Sequence, residues 1–216
     1  MKRIPHRSLA WVLALCAFEV ASVALPARAQ GQTSGSAQAS EQLPFGDLFP
    51  AEELNSNFGS HQFTPFGDSK FSFEILVPKG WDSHLSEVDP GQIAEDTKAP
   101  VPMSEFAPNS VDDVGVQVLY MRAPTATPLD RFLEDYAKNN GGTIVTRQHL
   151  EFKGRKLEDM LMRTTADDLG PLLSRVTAFQ RGDLIFVFVG WGVDEKYERY
   201  KRMFGAVLAS FNPTGN

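Results

Sequence analysis

Residues 184–189 constrain the fold of this 216-residue chain more than any other segment, because their sequence Leu-Ile-Phe-Val-Phe-Val is apolar at every position. Successive side chains of a β-strand point to opposite faces of the sheet. A strand that is apolar at every position must therefore be covered on both faces. The segment predicts a central strand in a sheet that lies between two other layers.

Two glycine-containing turns, at residues 153–154 and 182–183, predict β-hairpins. The first joins residues 143–152 to 155–165, and the second joins 172–181 to 184–191. A two-residue turn fixes which residues face each other, and the facing residues match in polarity. The expected pairs are Leu150 with Leu157, Glu151 with Lys156, His149 with Glu158, and Phe179 with Phe186.

The remaining periodic segments complete one α+β domain over residues 70–212. Alternating apolar residues predict strands at 71–77 and 114–123, with a shorter strand near 101–107 and a loop over 82–100. An apolar stripe predicts a helix that follows the N-cap Thr127 and Pro128 and stops at Gly141. A second helix runs from its predicted cap Asp194 to about Phe211. The expected architecture is an α/β/α sandwich in which helices cover a mostly antiparallel sheet.

The N-terminus predicts export. Residues 1–29 combine a basic start, an apolar stretch and the sequence Ala27-Arg28-Ala29, which is typical of a signal peptide that is cleaved near Ala29-Gln30. An uncleaved anchor is the minority alternative. Cys16 as a lipidation site is disfavoured because the bulky Leu15 precedes it. Residues 30–42 are small and polar and predict a flexible linker. We expect a periplasmic or secreted protein without a stable membrane span.

Cleavage would leave a mature chain without cysteine, because Cys16 is the only one. Such a chain depends on a hydrophobic core and not on disulfides. Removal of four basic residues and one acidic residue with the signal changes the net charge from −6 to −9. This charge argues against nucleic acid and anionic lipid as partners.

A phenylalanine-rich arm covers residues 43–69, and its apolar residues follow neither helical nor strand spacing. The simpler interpretation is an irregular segment that packs on the protein's own core. The alternative is a set of aromatic anchors for a partner. Trp81 and Trp191 allow the same two interpretations, either core packing or an exposed aromatic ledge. The candidate partner contacts are Phe45, Phe49, Phe58, Trp81 and Trp191.

The sequence contains no catalytic, metal or cofactor motif that we can identify. His61, His84 and His149 lack the spacing of a metal-binding helix. His84 has Glu87 and Asp89 nearby on the predicted loop. The favoured interpretation is a solvated loop, and a weak cation site is the alternative. The acidic pairs at 112–113 and 167–168 fit turns better than calcium loops. We therefore expect no cofactor and no enzymatic activity.

The opening pattern Phe-x-Phe-x-Ile-x-Val-Pro-x-Gly-Trp, at residues 71–81, resembles the start of the PsbP-like superfamily. The strand at 114–120, the helix at 129–136, the turn at Gly154 and the closing helix extend the resemblance to about Phe211. Members include extrinsic subunits of photosystem II, a Ran-binding import factor and bacterial exported proteins. The resemblance implies an α/β/α sandwich and an adaptor or assembly role.

These observations predict an exported, non-catalytic binding or assembly module with a protein partner in the cell envelope. Two alternatives stay open. One is a carrier of a small ligand or lipid, with an apolar pocket between sheet and helices. The other is an enzyme with an unrecognised site, which would need a cluster of mutually perturbed ionisable groups in a cleft.

Overall fold

The computed structural model describes residues 49–86, 100–109, 113–123, 127–152 and 154–215. The predicted signal peptide at 1–29, the predicted linker at 30–42 and Phe45 lie outside these residues.

The described residues form three α-helices and ten β-strands, with short 3-10 turns at Pro65–Gly67 and Ser69–Phe71. The helices are α1 (Ala51–Asn57), α2 (Leu129–Asn139) and α3 (Asp194–Ser210). The strands are β1 (Phe58–Phe63), β2 (Phe73–Pro78), β3 (Trp81–Leu85), β4 (Val101–Pro108), β5 (Val114–Arg122), β6 (Thr143–Phe152), β7 (Arg155–Ala166), β8 (Gly170–Arg181), β9 (Leu184–Val193) and β10 (Asn212–Pro213).

Within the described residues, a seven-stranded antiparallel sheet has the order β3-β4-β5-β9-β8-β7-β6. Strand β9 is central and is buried from Leu184 to Gly192. The predicted central strand is therefore confirmed. A second sheet has the order β1-β2-β10 and contains the first and last strands of the described chain.

Two apolar clusters cover the large sheet, one on each face. Phe186 and Phe188 of β9 point into a cluster with α3 and the small sheet, and we call this side the α3 face. Ile185, Val187 and Val189 point to the other side, where α2 packs, and we call it the α2 face. On the large sheet, α3 contacts mainly β8 and β9, and α2 contacts mainly β7 and β8. The predicted α/β/α arrangement is confirmed.

Both predicted hairpins have the expected register. Leu150 faces Leu157, Glu151 faces Lys156 and His149 faces Glu158 across β6 and β7. Phe179 faces Phe186 across β8 and β9, with ring centroids 5.3 Å apart. The turns place Gly154 at φ 71° and Gly182 at φ 61°, in the left-handed region that glycine adopts without strain.

Three local predictions were wrong. Residues 82–85, predicted as the start of a loop, belong to the edge strand β3. The side chains of this strand are largely exposed, so its sequence shows no apolar alternation. The arm, predicted to be irregular, contains α1 and β1, and β1 pairs with β2 over its whole length. Neither Thr127 nor Asp194 caps a helix, because Pro128 and Val193 occupy the N-cap positions.

Gly190 allows α3 to approach β9 closely. A Cβ atom at this position would lie 2.7 Å from Cγ of Phe204, a fully buried residue of α3. The contact is too short for any side chain, so the helix and the strand would have to separate.

We expect Gly190→Ala to lower the free energy of unfolding by about 1–3 kcal/mol, because overpacking forces a shift of the layers. Urea unfolding followed by circular dichroism measures this change. Gly154→Asn is the matched control, since Gly154 has open space and asparagine tolerates its backbone conformation. Equal losses in the two variants would contradict the close approach of α3.

Candidate protein-binding surface

A buried charged cluster lies on the α3 face of the large sheet. Asp159 of β7 and Arg175 of β8 are 0% and 2% exposed. Arg175 donates from Nε to Oδ1 and from Nη2 to Oδ2 of Asp159, each over 3.0 Å. Gln148 of β6 donates to Oδ2 over 3.0 Å, and the Thr177 hydroxyl donates to Oδ1. The cluster therefore joins three neighbouring strands through one carboxylate.

This cluster has a structural role. Each carboxylate oxygen of Asp159 accepts two hydrogen bonds from the protein itself, so the buried charge is both neutralised and solvated by the chain. A charge that is buried in this way costs much less than an isolated one. Asp159 and Arg175 were not predicted from the sequence, although each alternates with apolar residues that share its strand face, Leu157 and Leu161 on β7 and Leu173 and Phe179 on β8.

A second polar group lies at β3, β4 and β5. Glu105 is half-buried on β4, opposite His84 of β3 and Gln117 of β5. Burial raises the pKa of Glu105, while a hydrogen bond with Gln117 and the charge of His84 partly oppose this rise in pKa. His84 thus lies on a strand and not on the predicted loop. The carboxylates that the sequence placed near it, Glu87 and Asp89, lie outside the described residues.

His149 forms the predicted cross-strand pair with Glu158, in which Nδ1 contacts Oε1 on the exposed side of the hairpin. Among the described residues, no three side chains of His, Cys, Asp or Glu come together as metal ligands would. The helices of the same residues are too short or too polar to span a bilayer.

Phe58 and Phe63 of the arm pack on the protein's own core. Phe58 is 4% exposed, and Phe63 lies 5.6 Å from Phe73 and 5.4 Å from Phe106, between ring centroids. Trp191 is 5% exposed on the α2 face. Its indole occupies the space next to Gly115, where a Cβ atom would lie 2.9 Å from the ring. In this conformation, Phe58 and Trp191 present almost no surface to a partner.

Two other candidate contacts, Phe49 and Trp81, belong to an accessible surface along the first half of α3. The Arg202 guanidinium lies 4.2 Å from the centroid of the Phe49 ring and its Nη1 lies 3.8 Å from Glu53. Trp81 contacts Tyr200 edge to face at 5.9 Å, and Arg199 lies 5.8 Å from the Tyr200 centroid. We call this set the aromatic–arginine surface: Phe49, Trp81, Arg199, Tyr200, Arg202 and Met203.

The exposure and composition of this surface suit protein recognition. Its aromatic residues and Met203 are half-buried, and its two arginines are exposed. Tyr, Trp, Phe, Met and Arg are the residue types enriched at protein interfaces. Trp, Tyr and Arg also supply most residues whose loss strongly weakens binding. Helix α3 brings Arg199, Tyr200 and Arg202 together, whereas the sequence pattern alone predicted only the helix.

The fold is similar to that of solved structures. The solution structure of cyanobacterial PsbP from Synechocystis sp. PCC 6803 has a TM-score of 0.52 and 14% identity, and covers 73% of this chain and 92% of that chain. A Pseudomonas aeruginosa protein of unknown function has a TM-score of 0.43 and 9% identity, with coverages of 73% and 99%. A Bacteroides thetaiotaomicron structure has a TM-score of 0.43 and 10% identity, with coverages of 72% and 48%.

No protein-family profile and no curated protein matches the sequence. The comparison with cyanobacterial PsbP confirms the predicted PsbP-like, α+β fold. At this level of identity the similarity establishes the fold alone.

We expect Asp159→Asn to destabilise the protein by about 3–5 kcal/mol, because it leaves the Arg175 charge buried without a counter-charge. Glu134→Gln is the matched control. It removes one partner of the Arg147–Glu134 pair, whose side chains are about half exposed, and should cost no more than about 1 kcal/mol. Chemical unfolding measures both values. A loss at Asp159 as small as that at Glu134 would contradict the structural role of the cluster.

The raised pKa of Glu105 predicts a pH-dependent stability. The folded state binds a proton at the Glu105 carboxyl more tightly than the unfolded state does. Ionisation of this carboxyl at pH 7 therefore lowers the free energy of unfolding. This cost disappears as the pH falls through the raised pKa towards the ordinary value of 4.5. Glu105→Gln should therefore be more stable than the wild type at pH 7, with a smaller difference below about pH 4. Parallel urea titrations at both pH values test this, and an unchanged difference would refute it.

Proposed function

We propose that this protein is an exported, non-catalytic binding or assembly module that acts on a protein partner in the cell envelope. The aromatic–arginine surface carries the proposal, because it combines accessible aromatic rings with arginines on a rigid helix. The export signal and the linker in the sequence support the location. The PsbP-like fold is compatible with such a role but does not specify it.

The surface is organised before a partner arrives. Trp81 contacts Tyr200, and Arg202 is held between the Phe49 ring and Glu53. Side chains that already contact each other lose less conformational entropy on binding. The arrangement therefore favours direct docking over a rearrangement of the protein.

The charges of the surface indicate the chemistry of the partner. Arg199 and Arg202 present two exposed guanidinium groups, and Arg202 also lies 3.8 Å from Glu53. An apolar side chain next to carboxylates would contact the half-buried rings of Trp81 and Tyr200 and pair with these arginines. We therefore expect an acidic protein segment with at least one large apolar residue.

The interior of the described residues favours this role over the two alternatives. Packed side chains fill both faces of the central strands, where a carrier would need an apolar cavity. Each oxygen of the buried Asp159 carboxylate accepts two hydrogen bonds from the chain itself, so this buried ion pair is not available to a substrate.

The test is affinity capture with tagged full-length protein from the periplasmic fraction of its own host. We expect a stoichiometric partner with the wild type, and at least about tenfold lower recovery with Tyr200→Ser combined with Arg199→Glu. Arg131→Glu, an exposed substitution on α2, is the matched control and should capture the partner normally. Circular dichroism checks that each variant is folded.

The proposal fails if the folded double variant recovers the partner as well as the wild type does. It also fails if the protein is absent from the periplasmic fraction.

A further inference from the structure

Two arginines face each other at one end of the large sheet. Arg155 begins β7 and Arg181 ends β8. The register pairs Glu158 with Ala178, and its continuation by three residues places Arg155 opposite Arg181. Both lie in line with Leu157 and Phe179, on the α3 face. Like charges at directly opposite positions of neighbouring strands repel each other, so this arrangement requires a compensating interaction.

The short strand β10 holds both side chains. Arg155 donates from Nη2 to Oδ1 of Asn212 over 3.2 Å, and its guanidinium lies 5.4 Å from the Phe179 centroid. Arg181 donates from Nη1 to the carbonyl oxygen of Pro213 over 3.0 Å. These two partners are uncharged, and each accepts one hydrogen bond. A guanidinium group has five N–H donors. The contacts hold both arginines against β10, and within the part of the chain that the structure describes these hydrogen-bond partners carry no negative charge.

Among the described residues, the carboxylates near this pair form no ion pair with it. Asp183, two residues beyond Arg181, lies 3.7 Å from Nζ of Lys70. Glu74 lies opposite Asn212 in the small sheet, whereas the two arginines donate to Asn212 and Pro213. Burial, and then the charge of Arg181, lower the pKa of Arg155, which agrees with the closeness of the two groups. A guanidinium group stays charged at neutral pH in proteins.

We propose that Arg155 and Arg181 form a binding site for a phosphate-type oxyanion with two negative charges, either free or as the terminal group of a phosphomonoester. Guanidinium groups match such oxyanions through pairs of parallel N–H bonds. One dianion neutralises both arginines and removes their mutual repulsion. The site is accessible, because Arg181 is exposed and Arg155 is half-buried. Oxyanion binding here is independent of the aromatic–arginine surface, which lies on α3.

Isothermal titration calorimetry with the full-length protein tests the site. The probes are inorganic phosphate and glycerol phosphate, each against sodium chloride at equal ionic strength. We expect saturable binding of one phosphate group, weakened by at least about tenfold in Arg181→Gln because half of the donors and charge are lost. Binding of both probes indicates free phosphate as a sufficient ligand, and binding of glycerol phosphate alone indicates a monoester.

A folding check on the test variant and two further variants control the experiment. Arg181→Gln is exposed and loses a single hydrogen bond to Pro213, so the variant should fold, which circular dichroism verifies. Arg155→Lys keeps the positive charge but loses the planar pair of N–H donors, and should weaken phosphate binding without abolishing it. Arg131→Gln removes an exposed charge elsewhere and should bind as the wild type does. The proposal is overturned if neither probe binds beyond the chloride baseline, or if Arg181→Gln binds as tightly as the wild type.

Discussion

The burial of β9 on both faces is the constraint on which the other layers depend. Phe186 and Phe188 require the cover of α3 on one side, and Ile185 and Val187 require the cover of α2 on the other. Full burial of each such side chain contributes roughly 1.5–3 kcal/mol. Gly190 sets how closely α3 approaches β9, because the absence of a side chain there lets Phe204 lie directly against the strand. The small sheet completes the α3 layer, so even the N-terminal arm contributes to covering the large sheet.

The sequence was informative where local chemistry determines structure. The turns at Gly154 and Gly182 and the matching polarity of the flanking residues were enough to predict both hairpin registers. It was uninformative where pairing depends on distant residues. Strand β3 is exposed at an edge and lacks an apolar pattern, and β10 has two residues. The Asp159–Arg175 pair joins strands whose register was predicted only within hairpins, so its geometry needed the β7–β8 contact.

The candidate surface was predictable in part. The sequence identified Phe49 and Trp81 as candidate partner contacts because large aromatic residues stood beside glycine and proline. It could not indicate that α3 would bring Tyr200 and the arginines to them. The same reasoning placed Phe58 and Trp191 in this group, but side-chain burial depends on neighbours that are distant in sequence. Half-buried rings beside exposed arginines, and not aromatic content alone, distinguish the surface.

The small sheet has a consequence for how the chain acquires its structure. Strand β2 pairs with β1 on one side and with β10 on the other, so residues 58–63 and 212–213 meet in one sheet. Contacts between segments so distant in sequence form slowly, because a long stretch of chain must be closed into a loop first. Strand β2 can be paired on both of its edges only when residues 212–213 are present, so the small sheet is completed by a segment that is synthesised long after β1 and β2.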